Sequence, residues 1–278
     1  MVTYWMFVYL TKRSHMKNIL SLIFLFSFSI TLTAQDFSAY EKKQFIRGND
    51  TLHYRILYPT KYKKNRAYPL VMFLHGSGER GSDNEAQLTH GAKLFLEPMN
   101  RKYFQGIVIF PQCPKNMTWS KYKRSAEKQW AAVDSEGDAP ISQQLVKQLM
   151  DSLVDNRHVN TRRVYLGGLS MGAFGAYDLL RRYPDFFAAA FPICGIADIP
   201  FLVQQAKEVP MWIFHGEKDP VVSPEPNREL YKALMTAGAK DVTYSEYPGV
   251  GHDSWTNAFA EPKLLPWLFS HKKKMKKN

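Results

Sequence analysis

Between Arg163 and Gly175 the chain reads RVYLGGLSMGAFG: an apolar, β-prone run, the pentapeptide Gly168-Leu169-Ser170-Met171-Gly172, and then small residues that open a helix. A serine held in one tight turn between a strand and a helix sits in a strained backbone conformation. Glycines two before and two after it remove the Cβ atoms that would collide across the turn. Such an elbow demands a strand buried in a sheet and a helix packed closely on it, and Ala173, Gly175 and Ala176 permit that approach. Ser170 is therefore the candidate nucleophile.

A nucleophilic serine needs a base, and the base needs an acid to orient it. Both follow in the order acid, then histidine. The apolar strand 210–214 runs into His215-Gly216-Glu217-Lys218-Asp219, which places Asp219 just past a strand's carboxyl end. The strand 242–247 leads to Gly251-His252-Asp253 in the same way. We assign His252 as the base and Asp219 as its orienting acid. Asp253 adjoins the base and can hardly face its ring; Glu217, two positions before Asp219, stays as an alternative. His53, His90, His158 and His271 fall in strand, helix, strand-start and tail contexts, and His215 reads as a packed residue at the edge of the sheet.

Charge that develops on an attacked carbonyl needs backbone donors. The strand 68–74 ends in His75-Gly76-Ser77-Gly78-Glu79-Arg80-Gly81, a loop whose backbone can approach a ligand closely. The amide of Met171, directly after the nucleophile, is one expected donor; the amide of Ser77 is the second, with Gly76 as the fallback. A Gly-rich loop after a strand also suits phosphate binding, but we read neither a dinucleotide fingerprint nor a following Walker lysine there. Metal-ligand spacing such as HExxH is absent, and we expect neither metal nor cofactor.

Strand patterns recur at 44–47, 52–58, 68–74, 106–110, 163–167, 187–192, 210–214 and 242–247, with Gly48-Asn49-Asp50 as a hairpin turn between the first two. Helical stretches lie between them at 84–99 and at 140–155, the latter opened by Pro140. The alternation gives an α/β fold, a mostly parallel, doubly wound sheet of about eight strands flanked by helices, with the site at the strands' carboxyl ends. Residues 114–139 show no clear period and read as a small insertion that shapes the substrate site.

From Met16 a charged start, an apolar run and Ala34 read as a secretory signal peptide, cleaved before Gln35, with residues 1–15 as an upstream extension. The apolar run is short for a membrane span, so export to the periplasm or the medium is the expectation. We divide the chain into 1–34, a single catalytic domain at 35–270 and a basic tail at 271–278. The formal charge of +12 includes Lys12, Arg13 and Lys17 in the leader and five lysines in the tail, so removing three and then five leaves +4 on the folded body. A solvated basic tail accounts for the high isoelectric point without nucleic acid as a partner.

Taken together, LHGSGERG at 74–81, FPQCP at 110–114, GGLSMG at 167–172, FPICG at 191–195, HGEKD at 215–219 and GHDSW at 251–255 resemble α/β-hydrolase serine esterases. The branch is the one shared by feruloyl and acetyl-xylan esterases, polyhydroxybutyrate depolymerases and prolyl-oligopeptidase-related peptidases. The resemblance spans roughly 45–268 and implies the triad Ser170, Asp219, His252 and an oxyanion hole at Met171 and 76–77. It also implies aromatic substrate positions at Trp119 and Trp255. The family's strand order separates the strands before Cys113 and Cys194 by about 14 Å, beyond disulfide reach, so two free thiols are expected. The activity implied is hydrolysis of carboxylic esters, with polysaccharide as the candidate carrier of the acyl group. A proline-directed peptidase and a catalytically silent binding protein are the alternatives. The sequence leaves the oligomeric state open.

Overall fold

Gly48, at φ +57°, and Asn49 form a two-residue turn that pairs Arg47 with Asp50 and joins β1 (Glu41–Arg47) to β2 (Asp50–Leu57) in an antiparallel hairpin. Glycine with positive φ at the first turn position matches the twist that such hairpins favour. The structure is a computed structural model that describes residues 36–124, 130–132, 137–156 and 158–274. The expected leader at 1–34, its cleavage point at Ala34 and the last four residues of the basic tail lie outside the described residues.

The hairpin adds antiparallel strands to one side of a parallel sheet. Its further strands are β3 (Tyr68–Leu74), β4 (Ile107–Gln112), β7 (Val159–Leu169), β8 (Ala189–Ile193), β9 (Met211–Gly216) and β10 (Val242–Tyr247). The order across the sheet is β1-β2-β4-β3-β7-β8-β9-β10, with β2 antiparallel to β4 and every pair from β4 to β10 parallel. All eight strand patterns read from the sequence become strands of this sheet.

β3 shows why both faces are covered. All seven of its residues are buried, and alternation sends Leu70, Met72 and Leu74 to one core and Val71 and Phe73 to the other. On the first face lie α3 (Ile141–Asp155), α4 (Met171–Arg182), α5 (Ile199–Ala206) and α6 (Glu225–Thr236), which contribute Leu145, Leu149, Leu179, Leu202, Leu230 and Leu234. On the second lie α1 (Ala92–Leu96), α7 (Trp255–Ala260) and α8 (Leu264–Ser270), with Phe95, Ala258, Leu264 and Leu268. Each fully buried leucine contributes roughly 1.5–3 kcal/mol. No helix of the described residues is long and apolar enough to cross a membrane.

Two expectations change. The helix expected over 84–99 is broken: a single 3-10 turn at Ala86–Leu88 is followed by α1, and Pro98 then opens α2 (Pro98–Tyr103). Gly91 causes the first break by taking φ +83° before α1, a conformation outside the helical region. Within 114–139, where no period was read, β5 (Tyr122–Arg124) and β6 (Trp130–Ala132) pair as an antiparallel hairpin. Cys113 and Cys194 are both buried and free, and β3 and β7 stand between their strands as expected.

Candidate active site

Ser170 stands alone between the end of β7 and the start of α4, at φ 51° and ψ −121°. A side chain at positive φ is costly and persists only where the surroundings enforce it. Here they do: the Ser170 amide donates to Ile193 O at 2.9 Å, and its carbonyl accepts from Phe174 N at 3.1 Å. The flanking glycines are obligatory. A Cβ on Gly168 would lie 2.4 Å from Gly172 O, and one on Gly172 would lie 2.0 Å from Leu74 O.

The loops after β9 and β10 bring the partners in. His252 Nε2 accepts from Ser170 Oγ at 2.9 Å, and His252 Nδ1 donates to Asp219 Oδ2 at 2.7 Å. Asp219 Oδ1 accepts the amides of Val221 and Val222 at 2.8 and 2.9 Å, so the turn anchors one of the two carboxylate oxygens. Burial of Asp219 alone would raise its pKa. Hydrogen bonds from His215, His252 and the Val222 amide outweigh burial and hold the carboxyl far below its usual range. Glu217, the rival acid, instead accepts the Gly249 amide at 2.8 Å. The arrangement can take the Ser170 proton onto an imidazole whose other nitrogen is locked as a donor.

The loop expected to hold the oxyanion is braced from below. His75 Nε2 accepts the Cys113 amide at 2.9 Å, its Nδ1 donates to Gly76 O at 2.6 Å, and burial pushes its pKa down to about 4. Gly76 faces the nucleophile: a Cβ there would lie 3.7 Å from Ser170 Cβ and 2.8 Å from Leu169 Cδ1. Ser77 begins a 3-10 turn and Met171 begins α4, and the first amides of a helix have no carbonyl partner within it. Both expected donors therefore start a helical turn whose own carbonyls do not take their amides, and Met171 directly follows Ser170. Gly76, Gly78 and Gly81 do carry GxGxxG spacing. The long helix that a dinucleotide turn requires is missing, because Ser77–Glu79 is a single turn.

The two tryptophans expected near the substrate separate. Trp255 packs edge-on to the His252 ring at 5.5 Å between centroids and lies 5.0 Å from His90, so it walls the base. Trp119 is corrected to a core residue. It is 0% exposed, donates from Nε1 to His75 O at 3.0 Å, and sits where a Cβ on Gly175 would come within 2.4 Å. It supports the loop after β3 through His75 and, buried, cannot touch substrate.

An apolar cluster missed by sequence reasoning does adjoin the site. Phe174, one turn past the nucleophile, packs with Ile196 and Val222, and Tyr122 and Trp130 of the β5–β6 hairpin close over them. Trp130 Nε1 donates to Val221 O at 2.9 Å and ties the hairpin to the acid loop. The same face holds a hollow lined by Trp130, Ile196, Asp219, Pro220 and Val222. The available signal was the pairing of aromatics at 122 and 130 within an aperiodic stretch.

Among the described residues, Cys194, Asp219 and His252 are the set of donors close enough to share a metal, with ligand atoms within 4.8 Å of one another. Two of the three already hold each other in the triad, so coordination would require breaking the Asp219–His252 bond.

A family model described as Phospholipase/Carboxylesterase matches residues 59–263. A crystal structure of a thermostable esterase is 33% identical with a TM-score of 0.75; the match covers 85% of this chain and 64% of that one. Acyl-protein thioesterase 1 of Gibberella zeae is 27% identical over 209 residues, 66% of this chain and 83% of the relative. A ferulic acid esterase structure shares the fold at TM-score 0.62 and 17% identity, covering 82% of this chain and 97% of that one.

Proposed function

Since the chain belongs to the phospholipase/carboxylesterase family, we propose that it is an exported serine hydrolase that cleaves carboxylic esters through an acyl-enzyme, with acetyl or feruloyl groups on carbohydrate as its substrates. The observation that carries this reading is the unbroken line from Ser170 Oγ through His252 to Asp219. In the first half-reaction Ser170 Oγ attacks the acyl carbon as His252 Nε2 takes its proton. The developing oxyanion meets the Met171 and Ser77 amides, and His252 returns the proton to the leaving alcohol. Water, activated by the same imidazole, then releases the acid.

Support for this reading comes from the apolar, aromatic cluster that Phe174, one turn past the nucleophile, forms with Ile196, Val222, Tyr122 and Trp130. Such a lining suits an aryl acyl chain and tolerates a small one. The apolar segment from Met16 supports export.

The test is a set of initial rates on matched acetyl, butyryl and feruloyl esters, with Ser170→Ala beside the wild type. Turnover that vanishes in Ser170→Ala supports the reading, and the preferred acyl group assigns the pocket. Wild-type protein that cleaves proline-containing peptides but no ester would replace it with a peptidase. Protein inert to both would return it to a binding role.

A further inference from the structure

His215 is the last side chain of β9 before Gly216, and it is wholly buried. Its strand is interior to the sheet, flanked by β8 and β10, so the expectation of an edge position does not hold. Its Nε2 lies 3.2 Å from Asp219 Oδ2, the same oxygen that accepts His252 Nδ1, and 2.9 Å from Val222 O. On the far side of the ring, Nδ1 lies 2.8 Å from Asn227 Nδ2 in α6. Asn227 is also fully buried, and its Oδ1 accepts from the hydroxyl of Tyr177 in α4 at 3.0 Å.

The donor directions along this chain are consistent with one arrangement. The Tyr177 hydroxyl donates to the amide oxygen of Asn227, which turns the amide nitrogen toward His215. An NH₂ group facing Nδ1 makes that nitrogen an acceptor and places the ring proton on Nε2. There it meets two acceptors, the Val222 carbonyl and the Asp219 carboxylate. The opposite tautomer would set a lone pair against both. We propose that His215, held in this tautomer by Asn227 and Tyr177, is a positioning residue for catalysis: it gives Asp219 Oδ2 a second imidazole donor and so fixes the carboxylate that orients His252. The line from Tyr177 to Ser170 then returns to its own helix, since α4 carries Tyr177 and begins directly after the nucleophile.

Burial makes this arrangement consequential. A carboxylate shielded from water keeps its geometry only through the donors that the protein supplies. Asp219 Oδ1 is served by two backbone amides, whereas Oδ2 is served by the two histidines alone among its described partners. Without His215, Oδ2 would retain His252 as its donor, and the carboxylate could rotate about its own turn. The expected loss is in the reactivity of Ser170, with little change in substrate binding. Hydrogen-bond partners of metal-bound histidines change activity by about 10–100-fold when removed, and a loss of that order is expected here.

This role rests on the serine-hydrolase reading, so the readout is the rate at which a fluorophosphonate labels Ser170, which needs no natural substrate. Ser170→Ala sets the background. His215→Leu removes the donor, and His215→Gln restores one, because a glutamine amide nitrogen can reach the place of Nε2. Melting temperatures accompany each variant. Labelling that slows about 10–100-fold in His215→Leu and recovers to within about threefold of wild type in His215→Gln supports the proposal. A mere packing role predicts the reverse order, because leucine fills an apolar space better than glutamine.

Wild-type labelling in His215→Leu, or equal losses in both variants, would overturn it. Should His215→Leu fail to fold, Tyr177→Phe deletes only the hydroxyl that aims Asn227; labelling slowed about three- to tenfold supports the chain, and an unchanged rate overturns it. A wild-type protein that takes no label at all would bring down the hydrolase reading itself, which is distinct from a labelled wild type with an indifferent His215.

Discussion

His75 offers a test of how the oxyanion loop is held. Both of its ring nitrogens are engaged, and burial pushes its pKa from the model-compound value of 6.5 down to about 4. The unfolded chain therefore binds the proton more tightly than the folded one. The stability that the unprotonated ring contributes is whole above pH 6.5 and drains away as pH falls through 4. A displacement of about 2.5 pH units corresponds to about 3 kcal/mol in full, of which about 2 is lost between pH 7 and pH 4.5. His75→Gln removes the titration while leaving an amide oxygen able to accept the Cys113 amide. Urea unfolding at both pH values measures the difference. The wild type should lose about 2 kcal/mol more than His75→Gln on acidification, about 1 M in urea midpoint, while carboxylates common to both proteins cancel. Identical acid losses in the two proteins would refute the argument.

Other consequences are equally direct. Asp219→Asn leaves the shape of the site but takes away the acceptor that fixes the His252 tautomer, so kcat on any accepted ester should fall by about 10⁴-fold; a drop under tenfold would contradict the triad. Gly172→Ala drives a methyl carbon to 2.0 Å from the Leu74 carbonyl oxygen, a backbone atom that cannot swing aside, and should cost about 3 kcal/mol or more in a urea melt or prevent folding. Burial pushes the Cys113 thiol up to about 12 and raises Cys194 further, so Ellman's reagent should find no fast thiol in the native protein and two in the denatured, unreduced one.

Interior strands such as β3 were legible because they lie in the middle of a parallel sheet and are apolar throughout. The triad was legible because each member sits just beyond a strand's carboxyl end, in the order serine, acid, histidine. What the sequence concealed depends on contacts between distant elements. Nothing local in HGEKD distinguishes a packed His215 from one that bonds Asp219, since the difference lies in Asn227 and Tyr177. Trp119 reads the same whether it lines a pocket or fills a core; the small Gly175 opposite decides it. Tyr122 and Trp130 gain meaning only when the hairpin folds onto Phe174. The broken helix at 84–99 is of another kind, because Gly91 and Pro98 were visible and the leucine pattern overrode them.

The separation of the catalytic partners has a kinetic meaning. Ser170 and His252 meet across 82 residues and Asp219 and His252 across 33, each on a different strand's exit loop. Contacts of such span close late, after the loop entropy between them has been surrendered. The nucleophile thus gains its base only when β7 through β10 have all taken their places. During refolding, recovery of Ser170 reactivity should trail the return of secondary structure and clock the completion of the sheet.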